Sequence, residues 1–130
     1  RMQQNLFICA PSFAQTAAIS AFTQCDRYIE DMVQAYDERR RYVLRRLNEM
    51  GIATRIAPTG AFYALANVKK YTNDSYAFAF EILEKAGVAV TPGIDFGPNC
   101  EGYLRFSYAN SLDNIKEGMD RIEKFLTQSL

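Results

Sequence analysis

Apolar residues recur at helical spacing over the first part of the chain, with polar side chains between them. An Ala-rich stretch after Pro11 predicts one helix, which breaks near residues 23–26. Over residues 26–50 the apolar positions recur at intervals of three and four, and Gly51 is a suitable helix stop. The pattern therefore predicts a second helix of about 25 residues, roughly 37 Å long at about 1.5 Å per residue.

From residue 52 onward, strand patterns alternate with helix patterns. Runs of apolar, branched and aromatic residues predict four strands, at 52–57, 61–68, 88–91 and 102–110. Helical stripes predict one helix over residues 75–86 and another from residue 111 onward. This order predicts an α+β fold. We expect a small mixed or antiparallel sheet with helices on one face, preceded by the long helix.

The strand at 102–110 carries a single charged side chain. Alternation along a strand places Leu104, Phe106 and Tyr108 on one face, which is expected to be core. Arg105 lies on the opposite face. Because an unpaired charge inside a sheet is costly, Arg105 either pairs with an acidic residue of its own domain or binds an external anion. The strand pattern alone leaves both possibilities open.

Charge and composition exclude several classes of function. Fifteen basic residues balance fifteen acidic ones, which disfavours a nucleic-acid or membrane-surface binder. The arginine-rich run at 39–46 is flanked by acidic residues and predicts an ion-paired helix face. The chain has no histidine, which excludes Ser-His-Asp and Cys-His catalysis and histidine-based zinc sites.

Cysteine usage and hydropathy predict a cytoplasmic protein. The three cysteines lack metal-type spacing and are expected to be reduced thiols. No apolar run approaches the length of a membrane span, and no signal peptide opens the chain. The chain starts abruptly on an apolar run, for which an internal fragment of a longer protein is the simplest interpretation.

Three motifs follow one another in the second half of the chain. They are PTGAFY at 58–63, GVAVTPG at 87–93 with Phe96-Gly97 after it, and YLRFSYA at 103–109. In this order and spacing they resemble the C-terminal part of class I/II aminotransferases. Those enzymes are pyridoxal-phosphate transferases of fold type I, the aspartate aminotransferase-like superfamily. The stretch PSFAQTAA at 11–18 resembles the family segment just after the cofactor-binding lysine, so the resemblance covers nearly the whole chain.

This resemblance implies a domain organisation and an activity. Residues 1–25 would belong to or pack on an absent large cofactor domain, 26–50 would form the connecting helix, and 51–130 would be the small C-terminal domain. The complete enzyme would be a homodimer that uses pyridoxal 5'-phosphate. It would transfer an amino group between an amino acid and a 2-oxo acid.

The resemblance also implies roles for particular residues. Arg105 stands where the family binds the substrate α-carboxylate, and Phe96 and Gly97 would line the active-site mouth. The Schiff-base lysine and the phosphate-binding groups would lie upstream of this sequence. We therefore expect the isolated chain to carry no catalytic residue, bind no cofactor and show no turnover. The alternative is a free-standing α+β module that binds a small carboxylate without catalysis, although such a module would not need residues 1–50.

Overall fold

The computed structural model describes residues 1–7 and 9–128, except for the side chains of Gln3 and Gln4. By internal contacts the chain divides into two compact units, Arg1–Ala35 and Tyr36–Leu130. Within the described residues, no helix combines the length and apolar character needed to cross a membrane. The predicted division at residues 25 and 50 remains a prediction.

The first unit is helical. It contains α1 (Met2–Leu6), α2 (Ser12–Gln24) and the beginning of α3 (Asp26–Glu49). Cys25 separates α2 from α3, where the sequence predicts a break. No residue of α2 is buried, so this helix exposes its aromatic and aliphatic side chains.

The second unit contains the rest of the chain's regular structure. In chain order its strands and helices are β1 (Tyr63–Asn67), α4 (Ser75–Ala86), β2 (Thr91–Pro92), two 3-10 turns (Gly93–Phe96 and Pro98–Cys100), β3 (Tyr103–Ser107) and α5 (Leu112–Gln128). The strands form one antiparallel sheet in the order β1-β3-β2. The predicted α+β class is therefore confirmed, with β3 as the central strand.

Local sequence signals explain where α4 begins and ends. Asp74 caps its first turn, because the Asp74 carboxylate accepts a hydrogen bond from the backbone N–H of Ala77 at 2.9 Å. Gly87 ends the helix in the left-handed conformation, with φ at +66°, and its N–H donates to the Leu83 carbonyl. Both ends fall where the sequence predicts them.

The core lies on one face of this sheet, as the alternation in β3 predicts. Leu104, Phe106 and Tyr108 are all buried there. Apolar residues of the three helices are buried in the same cluster: Val43, Leu47, Phe78, Ala79, Ile82, Ile115, Met119, Ile122, Phe125 and Leu126. The helical layer therefore seals one face of the sheet, and the face that carries Arg105 is only partly buried or exposed.

The arginine-rich part of α3 forms the ion pairs that the sequence predicts. Arg40 and Arg41 both contact Asp37, each at 2.6 Å. Arg46 contacts Asp120 and Glu123 of α5, at 2.5 Å and 2.9 Å. These cations are neutralised within the fold, and Arg46 fastens α3 to α5.

Two of the four predicted strands are wrong in extent. Residues 52–57 make a single bridge, Thr54 to Ala66, because only Ile52 in this segment is buried and little apolar surface holds the rest against β1. The strand predicted at 88–91 shortens to Thr91–Pro92. Before Thr91, the segment separates from β3, and both line a cavity of about 400 Å³.

Candidate functional site

Arg105 occupies the middle of the central strand. In the sheet register it lies opposite Leu65 of β1 and Thr91 of β2. Directly opposed residues in an antiparallel sheet share a face, so these side chains surround Arg105 on the face away from the helices. The sheet therefore presents one guanidinium on its uncovered side.

Two aromatic rings flank this guanidinium. Its central carbon lies 5.2 Å from the ring centre of Tyr63 and 4.8 Å from the ring centre of Phe96. Both separations are within cation–π range, and an aromatic face stabilises a cation without using its N–H donors. The rings therefore hold Arg105 in place and leave its hydrogen-bonding edge available.

The polar surroundings of Arg105 are sparse. Its Nη2 donates a long hydrogen bond of 3.3 Å to the hydroxyl of Thr91. Its Nε is buried and has no hydrogen-bond partner. Arg105 forms no ion pair with any carboxylate among the described residues. Of the two possibilities that the sequence left open, the internal ion pair is therefore not formed within the described part of the chain.

This arrangement is suited to a planar anion. A guanidinium presents a rigid fork of donors that matches the two oxygens of a carboxylate. A buried Nε without a partner costs free energy until an acceptor reaches it. Arg105 thus combines a fixed orientation, unused donors and an uncompensated positive charge.

Phe96 and Gly97, the two predicted lining residues, differ in position. Phe96 ends the first 3-10 turn and its ring lies over Arg105. Gly97 follows that turn, with φ at +104°, and its N–H donates to the Ile94 carbonyl. Phe96 therefore contacts the candidate anion site directly, whereas Gly97 makes backbone hydrogen bonds within the turns, and its role as a lining residue stays a prediction.

Sequence reasoning did not assign Tyr63 and Thr91 to the site. Thr91 could be assigned only from the register of β2 on β3, which places it opposite Arg105. A strand of two residues leaves no recognisable pattern in the sequence from which that register could be predicted. Tyr63 pairs with Ser107, which is two residues along β3 from Arg105, so Tyr63 and Arg105 are diagonal neighbours on one face of the sheet. Counting by twos from Leu65 would have placed Tyr63 on the correct face.

The thiols and acids of the described chain offer no metal centre. Cys9, Cys25 and Cys100 are free, and Cys9 is exposed. No group of three or more Cys, Asp and Glu side chains that could hold a metal ion is found in residues 1–7 and 9–128. The Arg105 face is therefore the arrangement with the clearest chemistry in this part of the chain.

Comparison with known proteins gives a consistent result. A family model described as aminotransferase class I and II matches residues 1–122. The (5-formylfuran-3-yl)methyl phosphate transaminase of Methanocaldococcus jannaschii is 43% identical over 129 residues, covering 98% of this chain and 34% of that protein. The aspartate aminotransferase of Pyrococcus abyssi is 42% identical over 122 residues, covering 92% of this chain and 31% of that protein.

Solved structures agree with these relatives. The crystal structure of an aromatic aminotransferase from Pyrococcus horikoshii OT3 superposes with a TM-score of 0.88 at 38% identity. The match covers 98% of this chain and 34% of that one. The chain thus spans about a third of the length of the proteins that it matches. The names of these three proteins refer to different substrates.

Class I and II aminotransferases use pyridoxal phosphate in their full-length form, but the lysines described here do not fit that cofactor. A lysine that forms an imine needs a buried or cationic setting and a nearby phosphate site. Lys70 Nζ instead donates to the Met50 carbonyl at 3.2 Å. The other four bond an acidic neighbour, lie near an aromatic ring or are exposed: Lys69, Lys85, Lys116 and Lys124.

Proposed function

The chain belongs to the class I and II aminotransferase family, and on that premise we propose that it forms the C-terminal, substrate-binding part of a longer pyridoxal-phosphate-dependent enzyme. That enzyme would transfer an amino group between an amino acid and a 2-oxo acid in the cytoplasm, as a homodimer. The cofactor would supply the bond-breaking chemistry and would be held by residues outside this chain. The identity of the amino acid stays open, since the matched relatives differ in the substrate that they name.

We assign the α-carboxylate of the substrate to Arg105. One observation carries this assignment: the guanidinium lies within cation–π distance of the rings of Tyr63 and Phe96, while its buried Nε lacks a partner. Amino acids and 2-oxo acids share a carboxylate on the carbon next to the reacting one. A single bidentate site can therefore orient both substrates of the exchange.

The chain's own contribution is binding and orientation. The fork of Arg105 would fix the carboxylate plane, and the contacts with the Tyr63 and Phe96 rings would restrict movement of the guanidinium. Thr91 would help to orient the guanidinium through the existing hydrogen bond that it accepts from Nη2. Holding one end of the substrate in this way restricts the reacting carbon to a small range of positions.

Substitution of Arg105 in the complete enzyme tests the assignment. Arg105→Ala removes both charge and fork, and should reduce kcat/KM for amino acids by roughly thirty- to several-thousand-fold, the equivalent of about 2–5 kcal/mol. Arg105→Lys keeps the charge without the fork and should fall between Ala and wild type. Arg55→Ala, at an exposed arginine of the same unit, serves as the matched control.

Melting temperature separates binding from a structural role. If Arg105 acts on substrate, both variants lose catalytic efficiency while retaining the cofactor and a nearly normal melting temperature. A lowered melting temperature with normal kinetics would instead assign Arg105 to stability. Unchanged efficiency toward amino acids in Arg105→Ala would refute the carboxylate assignment.

A further inference from the structure

The loop between β2 and β3 forms one side of the Arg105 site. This loop, residues 93–102, contains both 3-10 turns and carries Phe96 at the end of the first one. Phe96 is 47% exposed, so few side chains pack around the ring itself. Its place over the guanidinium therefore depends on how the backbone of the 93–102 loop is held.

Glu101 holds the end of this loop against helix α4. One Glu101 oxygen, Oε1, accepts hydrogen bonds from the backbone N–H groups of Ser75 and Gly102, both at 2.7 Å. The pKa of Glu101 is held below its usual range by these hydrogen bonds. The bond from the Ser75 N–H has the largest effect, followed by the one from the Gly102 N–H and by a hydrogen bond from the Ser75 side chain. Hydrogen bonds of this kind favour the charged form of the carboxyl group.

Ser75 extends the connection to the beginning of the loop. Its side chain is fully buried, and its Oγ accepts a hydrogen bond from the backbone N–H of Ile94 at 3.2 Å. Ile94 lies two residues before Phe96 in the same 3-10 turn. A continuous set of hydrogen bonds therefore runs from Glu101 through Ser75 to the turn that carries Phe96.

We propose that Glu101 is a positioning residue for the substrate carboxylate site, acting through Ser75 to keep Phe96 over Arg105. This inference rests on the proposed role of Arg105. Glu101 touches neither the guanidinium nor its aromatic neighbours in the described contacts. Its influence on substrate passes through the backbone of the 93–102 loop.

Capping of α4 does not by itself account for the Glu101 contacts. The helix already has Asp74 as its N-cap, bonded to the Ala77 N–H. The hydrogen bond that the Ser75 N–H donates to Glu101 joins the helix to a second segment, 26 residues away in sequence. Asp74 makes no described contact with the 93–102 loop, so it supplies a matched control on the same turn of the same helix.

The test compares four variants of the complete enzyme. Glu101→Ala and Ser75→Ala each break the connection, Glu101→Gln keeps an oxygen able to accept both backbone bonds, and Asp74→Ala weakens the helix only. Steady-state kcat and KM are measured with the best donor from a panel of alanine, aspartate, glutamate and phenylalanine. Melting temperature and amide hydrogen exchange across the 93–102 loop are recorded for each variant.

We expect Glu101→Ala and Ser75→Ala to raise KM by roughly two- to fivefold, the range for loss of the Phe96 contact itself, with a smaller change in kcat. Exchange of the Ile94 amide should accelerate in both. Glu101→Gln should keep KM within about 1.5-fold of wild type, because the neutral amide retains the geometry. Asp74→Ala should lower the melting temperature and leave KM unchanged.

Each outcome has a definite meaning. If Arg105→Ala loses efficiency while Glu101→Ala and Ser75→Ala match Asp74→Ala in KM, the positioning role is refuted and the carboxylate assignment stands. If Arg105→Ala keeps its efficiency, the carboxylate assignment fails and the positioning role fails with it. Should Glu101→Ala not fold, Ser75→Ala and the exchange of Ile94 decide the question.

Discussion

Among single residues, Arg105 departs furthest from ordinary packing. Of the side-chain nitrogen and oxygen atoms buried in the described part of the chain, only its Nε lacks a hydrogen-bond partner. Natural folds rarely leave such a donor unsatisfied without a ligand or solvent to serve it. The flanking rings of Tyr63 and Phe96 lower the cost of holding the cation but provide no acceptor for its N–H groups.

Removing either ring should weaken substrate binding modestly. Tyr63→Leu and Phe96→Leu each delete one cation–π contact of about 0.5–1 kcal/mol, which corresponds to roughly two- to fivefold in KM. Tyr76→Leu is the matched control, since the Tyr76 ring packs on Phe80 of α4 with centres 4.9 Å apart. KM values for one amino acid across the three variants are the measurement. Equal values in all three would show that the rings do not orient Arg105.

The strand pattern predicted the face on which Arg105 lies but not the position of Phe96, for a physical reason. Alternation along β3 depends only on local backbone geometry, so the face of Arg105 followed directly from the pattern. Phe96 reaches Arg105 from a loop of irregular backbone, whose path depends on contacts with a distant helix. Its resemblance to a family motif pointed to the site, whereas periodicity carried no information about it.

At the scale of elements, a close backbone approach fixes the 93–102 loop. A Cβ on Gly93 would lie 2.0 Å from the carbonyl oxygen of Cys100 and 2.6 Å from that of Tyr103. Only glycine allows the start and end of the loop to come this close. Together with the Glu101 and Ser75 contacts, this approach determines the shape of the loop.

Gly93→Ala should therefore be strongly destabilising. The new methyl group meets backbone atoms, which cannot rotate away, and we expect a loss of about 3 kcal/mol or more in the free energy of unfolding. Gly60→Ala is the matched control, because a Cβ there meets nothing within 4 Å. Urea denaturation of the two variants is the comparison. A Gly93→Ala variant as stable as Gly60→Ala would show that the loop relaxes without cost.

The strand predictions failed where pairing depends on tertiary contacts. Both ends of α4 and the start of α5 carry capping residues beside regular apolar stripes, so these bounds were predictable. The segments at 52–57 and 88–91 have strand-like composition, but composition does not determine whether a neighbour is aligned for hydrogen bonding. In the structure only Thr54 and the pair Thr91–Pro92 meet the adjacent strand.

At the scale of the whole molecule, the two units differ in how much apolar surface they bury. The second unit contains all the buried core residues of the described chain. The first unit leaves large apolar side chains exposed, among them Leu6, Phe7, Phe13 and Phe22. Ile8, which belongs to the apolar run at the start of the sequence, lies outside the described residues. This difference agrees with a chain that spans a third of its relatives' length.

The exposed side chains of the first unit should drive self-association of the isolated chain. Phe13 and Phe22 are 76% and 87% exposed, and α2 buries none of its residues. Exposed apolar side chains favour association, because each contact removes apolar surface from water. We expect dimers or larger species by sedimentation velocity, with the mean mass increasing with protein concentration.

Phe13→Ser combined with Phe22→Ser should shift the distribution toward monomer, whereas Tyr76→Ser, at an exposed aromatic residue of the second unit, should not. A strictly monomeric mass for the unmodified chain at high concentration would contradict this expectation.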